Sequence, residues 1–120
     1  MAGKLVHFEI PAGDTSRAKE FYSSLFGWQY QTYEGPVEYH MTEAGGDPGG
    51  GLYQGESGEQ GVRVYFDTDD VEAGAARVRE LGGTAEEKMP VPGMGWFVHC
   101  KDTEGNAFSL WQNDESASPQ

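Results

Sequence analysis

The chain has 120 residues, the length of one domain, and its 37% hydrophobic content, with six Phe, six Tyr and three Trp, can supply a core. Twenty acidic residues against eight basic ones give a formal charge of −12, which repels phosphate backbones and anionic lipid and argues against nucleic-acid or membrane binding. No apolar run approaches the roughly 20 residues that span a bilayer, no signal-peptide stretch opens the chain, and the single Cys100 excludes an internal disulfide, so a cytoplasmic setting is expected.

In chain order, residues 4–10 alternate as a strand, with Val6, Phe8 and Ile10 on one face and Leu5, His7 and Glu9 on the other. Asp14 is placed to cap a helix whose Ala18, Phe21, Tyr22, Leu25 and Phe26 form one apolar stripe, and Gly27 ends it. Residues 28–34 and 37–43 read as strands around a Gly35-Pro36 turn. A Gly-rich stretch over 44–61 reads as flexible, interrupted by a very short strand near 51–54. Its glycines are not a phosphate loop, since no Lys-Ser/Thr pair and no helix follow.

The pattern then restarts. Residues 62–68 alternate, Asp69 or Asp70 caps a helix striped by Val71, Ala75, Val78 and Leu81, and Gly82-Gly83 stops it. Residues 84–88, 96–101 and 106–112 read as strands. The loop over 89–95, stiffened by two prolines, is expected as a connector or a lid. Adding 56 takes His7 to Arg63, Asp14 to Asp70 and Gly27 to Gly83, and lays residues 49–54 on 105–110. The expected fold is therefore α+β: two tandem βαβββ units, 4–54 and 61–113, forming curved mixed sheets around a cleft with helices outside. Together they make one domain over 1–113, and the polar end, 114–120, is expected to be disordered.

The opening HFEIPAGDTSRAKEFYSSLFGW and the closing KDTEGNAFSLWQ resemble the vicinal oxygen chelate superfamily of glyoxalases, bleomycin-resistance proteins and extradiol dioxygenases. The resemblance covers residues 4–113 and implies that the first and last strands of each unit carry inward metal ligands. Carried over, those positions are His7, Tyr53, Arg63 and Ser109, and only His7 is of the ligand type that the superfamily places there. A divalent metal takes about three imidazole or carboxylate ligands, whereas Arg63 is a fixed cation and Ser109 a poor donor. No cofactor is expected, and His7 is the retained ligand-type position, with Glu9, His40 and His99 as potential helpers.

Strand parity places His7, Glu9, Arg63, Tyr65, Tyr53, Ser109 and Trp111 inward, and Phe8, Ile10, Val64, Phe66, Phe108 and Leu110 under the helices. Trp28, Tyr30, Tyr33, Tyr39, Trp96 and Trp111 are available to stack a flat ligand or close an interface. Cys100 reads as structural. The expected function is binding of a small organic molecule in an aromatic cleft, in the manner of the bleomycin-resistance proteins resembled, without a catalytic metal. Arg63 would take its carboxylate or phosphate. The alternative is a lyase or isomerase on a small oxygenated substrate, with His7 and Glu9 hydrogen-bonded as an acid/base pair that raises the imidazole pKa. An extradiol dioxygenase would need a two-His, one-carboxylate iron site that the sequence does not assemble. A homodimer is the default expectation from the exposed sheet edges.

Overall fold

The computed structural model describes residues 3–33, 38–43, 46–55 and 61–119. It divides into two compact units, Val6–Arg63 and a second formed by Val64–Gln120 with the first residues of the chain. The fold is mixed α+β.

In the first unit the order is β1 (Leu5–Ala12), α1 (Thr15–Phe26), β2 (Gln31–Tyr33), β3 (Tyr39–Thr42) and β4 (Gly50–Gln54). β4 runs parallel to β1 and antiparallel to β3, which pairs antiparallel with β2. Asp14 caps α1 by accepting from the Arg17 N–H, and Gly27 closes it at φ 78°, a left-handed conformation that suits a residue without a side chain. The Gly35-Pro36 turn expected between β2 and β3 lies outside the described residues.

The very short strand expected near 51–54 is β4, which starts one residue earlier, and its glycines are closely packed: a Cβ on Gly50 would strike the Phe8 ring, and one on Gly51 would strike the Tyr39 ring. Successive residues of a strand face opposite ways, so one aromatic ring lies flat on each side of the Gly50-Gly51 pair. The apolar stripe of α1 is not a core stripe throughout. Tyr22 stacks on Trp28, which also meets Phe8 and Phe26, while Phe21, Leu25 and Phe26 remain more than half exposed.

β5 (Arg63–Asp67), whose Arg63 still belongs to the first unit, leads into the second, which continues with α2 (Val71–Glu80), β6 (Thr84–Ala85), β7 (Met89–Val91), β8 (Gly95–Lys101) and β9 (Ala107–Asn113). β5 is parallel to β9, β9 is antiparallel to β8, and β6 and β7 both pair with β8. Asp70 caps α2 through the N–H groups of Glu72 and Ala73. Val71 and Ala75 of α2 pack on Val98, Cys100 and Leu110 to form this unit's core, so Cys100 is a buried structural residue. Gly74 lets the helix approach, because a Cβ there would come within 2.8 Å of Leu110.

Residues 89–91, expected in a loop, are a strand: Pro90 faces Trp96 in a β7–β8 hairpin whose turn is 92–94. A lid would need freedom that this pairing removes. The polar end, expected to be disordered, is drawn onto the same hairpin. Asp114 accepts from the Trp96 indole N–H at 3.0 Å, the Ala117 carbonyl accepts from the Gly93 N–H at 2.9 Å, and Ala117 is buried.

Candidate functional site

Strand pairing fixes which side chains share a face. Phe8 pairs with Gly50 in the first unit and Val64 with Phe108 in the second. The opening strands correspond at an offset of 56 (8 to 64), so the closing strands correspond at 58 (50 to 108). The counterpart of Ser109 is thus Gly51, and the counterpart of Tyr53 is Trp111. The two-residue slip hides in the Gly-rich stretch, where no side chain marks the register.

On one face of the first unit β1 presents His7 and Glu9, β4 presents Gly51 and Tyr53, and β3 presents Tyr39. Because Gly51 carries no side chain, the Tyr39 ring crosses β4 and reaches β1. Its hydroxyl lies 2.6 Å from His7 Nε2 and donates to Glu9 Oε2 at 2.9 Å. A phenol has one proton, and here it goes to the carboxylate. The Tyr39 oxygen therefore accepts from His7, which places a proton on Nε2 and leaves Nδ1 as the basic nitrogen of the neutral ring. The Tyr39 ring stacks with Tyr53, centroids 6.4 Å apart at 18°, and with His7 at 6.4 Å and 15°.

Electrostatics follow from half-burial. Burial holds the His7 pKa below its ordinary 6.5, opposed in part by the Glu9 charge. The expected upward shift from pairing with Glu9 is thus outweighed by desolvation, with Tyr39 standing between the two groups. Burial and then Glu9 push the Tyr53 hydroxyl up, and Arg63 acts against them, so Arg63 belongs to the same local field. His7, Glu9, Tyr53 and Arg63 come together in this unit, and Tyr39 joins them.

In the second unit Tyr65, His99, Phe97, Ser109 and Trp111 share the corresponding face by register. Ser109 is fully buried, and its hydroxyl lies 2.6 Å from His99 Nδ1. The His99 ring packs on Phe97 at 4.8 Å and edge-on to Tyr65 at 6.3 Å. Trp111 lies over Gly95 and donates to Asn113. His40, by contrast, faces the other way on β3, beside Leu52, and is bonded to Glu38 and Thr32. Trp28 and Trp96 pack with the helices' side of their sheets, and Tyr33 is half exposed on β2. Tyr30 buries its hydroxyl with no partner among the described residues.

A divalent metal needs about three imidazole, thiolate or carboxylate donors in one place. Among the described residues no three His, Cys, Asp or Glu side chains come together in that way. His7 and Glu9 are two, the β4 position is glycine, and Tyr39 is bonded to both.

Sequence reasoning placed Tyr39 among the stackers and missed its hydroxyl bridge. The available signal was the glycine pair of β4 beside a tyrosine-bearing strand.

A glyoxalase-like domain model matches residues 7–111. The chain belongs to this family, within the vicinal oxygen chelate superfamily. The glyoxalase-like chain is 32% identical over 118 residues to a glyoxylase-like domain-containing protein of Didymella fabae, covering 90% of this chain and 92% of that one. It is 27% identical over 124 residues to the anthracycline biosynthesis protein DnrV of Streptomyces peucetius, covering 88% of this chain but 45% of DnrV. It therefore spans less than half the length of that relative. Methylmalonyl-CoA epimerase of Streptomyces coelicolor, solved with 2-nitronate-propionyl-CoA, has a similar fold, with TM-score 0.72, 22% identity, and coverage of 99% of this chain and 100% of that one. The epimerase of Mycobacterium tuberculosis gives TM-score 0.72 at 15% identity, covering 92% and 88%.

Proposed function

We propose that this glyoxalase-like domain binds a small organic molecule bearing a carbonyl or carboxylate group, and does so without a divalent metal. The observation that carries this reading is the Tyr39 hydroxyl, bonded at once to His7 and Glu9, the two metal-type donors of β1. The stacked Tyr39 and Tyr53 rings offer a flat surface to a planar or thioester-bearing guest, and Arg63 offers paired N–H donors to an anionic end. On the corresponding face of the second unit Trp111 offers a further ring, while Tyr65 and Ser109 are buried against His99 and support that face from within. The bleomycin-resistance style of sequestration is one form of such binding. The charge of −12 suits a guest that also carries a cationic group. A buried lone cysteine suits the reducing cytoplasm as its compartment.

A second reading, proton transfer beside a carbonyl, is favoured by one specific observation. Glu9 and Tyr39 orient the His7 ring while burial keeps it neutral near pH 7, as a base requires. Nδ1 would then take the proton and Arg63 would stabilise the enolate oxygen. This is the lyase or isomerase alternative, and similarity in fold to an epimerase is consistent with it.

The test is binding of aromatic carboxylates, 2-oxoaldehyde–thiol adducts and acyl-thioesters, followed by intrinsic fluorescence before and after chelation. The reading expects affinity untouched by the chelator and weakened about tenfold or more by Arg63→Met. Binding that requires one divalent ion per chain would overturn it. Deuterium exchange beside the carbonyl, lost in His7→Asn, would select proton transfer over sequestration.

A further inference from the structure

The back of β3 carries a second hydrogen-bonded chain. Side chains alternate along a strand, so His40 points away from the face that Tyr39 occupies and lies beside Leu52. Glu38, just ahead of the strand, turns to the same side, with its Oε2 2.9 Å from His40 Nε2. The same carboxylate oxygen accepts from the Thr15 hydroxyl at 2.9 Å. His40 is 2% exposed, and Thr15, the first residue of α1, is 3% exposed. A carboxylate only accepts, so His40 Nε2 carries a proton, and in the neutral ring Nδ1 accepts from the Thr32 hydroxyl 2.8 Å away on β2. The strand is thereby held from behind to a helix and to its neighbouring strand. We propose that Thr15, Glu38 and His40 are positioning residues for Tyr39, setting where its hydroxyl meets His7 and Glu9.

Tyr39 is the first residue of β3, and the end of an element is where its own ladder holds it least. From there the ring must cross Gly51 and bring one oxygen to His7 at 2.6 Å and to Glu9 at 2.9 Å. A hydroxyl at the tip of so long a side chain turns a small twist of the backbone into a displacement beyond the roughly 0.5 Å that a working site tolerates. The residues on either side of Tyr39 are the two that the rear chain grips, so the backbone that carries the ring is bracketed. Filling space does not require this arrangement, since an apolar side chain beside Leu52 would do that without partners. Buried polar groups that satisfy one another specify a single geometry instead. The bearing of this clamp on binding rests on the function proposed above, whereas the coupling of Thr15 to His7 belongs to the free protein.

Thr15→Val removes the hydroxyl at nearly constant volume, and Thr15→Ser keeps it. The measurement is the exchange of the His7 Nε2 proton with water, followed by NMR on the nitrogen-labelled full chain at pH 7 without ligand. Thr15→Val is expected to speed that exchange about fivefold or more and Thr15→Ser to hold it within about twofold of wild type. Val78→Ala, which thins the packing of α2 in the other unit, is expected to lower the melting temperature and leave the His7 proton alone. Should Thr15→Val fail to fold, Thr32→Val, at the far end of the same chain of hydrogen bonds, decides with the same expectation. Exchange unchanged in the folded valine variant, or quickened equally by Val78→Ala, would overturn the proposal. Binding of an aromatic carboxylate, titrated separately, bears on the proposed function alone: its absence alongside a coupled His7 contradicts that function and not the clamp.

Discussion

The ring of Tyr39 occupies the space that a side chain on Gly51 would fill. That single vacancy on β4 lets a β3 hydroxyl reach two β1 side chains, so the network depends on a residue that contributes no chemistry. Gly51→Ala is expected to displace Tyr39 and destabilise the domain by about 1–3 kcal/mol, as overpacking does. Gly46→Ala, with nothing within 4 Å of the added carbon, is expected to be close to neutral. Urea midpoints of the two variants check this, and a neutral Gly51→Ala would argue against the ring's position.

The same relationship shows what the sequence could and could not disclose. Alternation in residues 4–10, 62–68 and 106–112 was enough to sort His7, Glu9, Tyr65 and Ser109 from Phe8, Val64 and Leu110, because a strand has a fixed two-residue period. Aspartate caps and glycine stops marked both helices for equally local reasons. Register across β4 was not legible. A run of glycines carries no alternation, so the correspondence of Tyr53 with Ser109 slipped by two residues. Nor could a sequence say that Tyr39 bends over its neighbour, since that follows from the space left on the adjacent strand.

Acid sensitivity is expected from Glu38. Its Oε2 accepts from Thr15 and pairs with buried His40, which tethers the start of α1 to β3, and these contacts hold its pKa below the usual 4.5. A depressed carboxylate stabilises the fold above the unfolded value and loses that contribution as pH falls through the folded one. Glu38→Gln is expected to melt lower than wild type at neutral pH and to narrow that gap below about pH 4. Thermal melts across the acid limb measure it, and a constant gap would contradict the tether.

His7 acts in the opposite sense. Its folded pKa lies below 6.5, so the unfolded chain binds more protons near and below that pH, and its contribution is lost as pH falls beneath about 6.5. Between pH 7.5 and pH 5.5 the wild type is expected to lose more stability than His7→Gln. Equal losses in urea titrations would show that burial does not govern this ring.

The hydroxyl bridge itself can be weighed by a double-mutant cycle of Tyr39→Phe with Glu9→Gln. Each single change is expected to cost on the order of 1 kcal/mol, and the pair less than the sum, because both remove the same hydrogen bond. Strict additivity would mean that the two groups do not interact.

The most direct measurement is the tautomer and metal response of His7, read from long-range proton–nitrogen correlations on labelled protein at pH 7. A proton on Nε2, given to the Tyr39 oxygen, with spectra unchanged by added zinc, is the predicted result. A bare Nε2, or His7 resonances that move with stoichiometric zinc, would contradict the account.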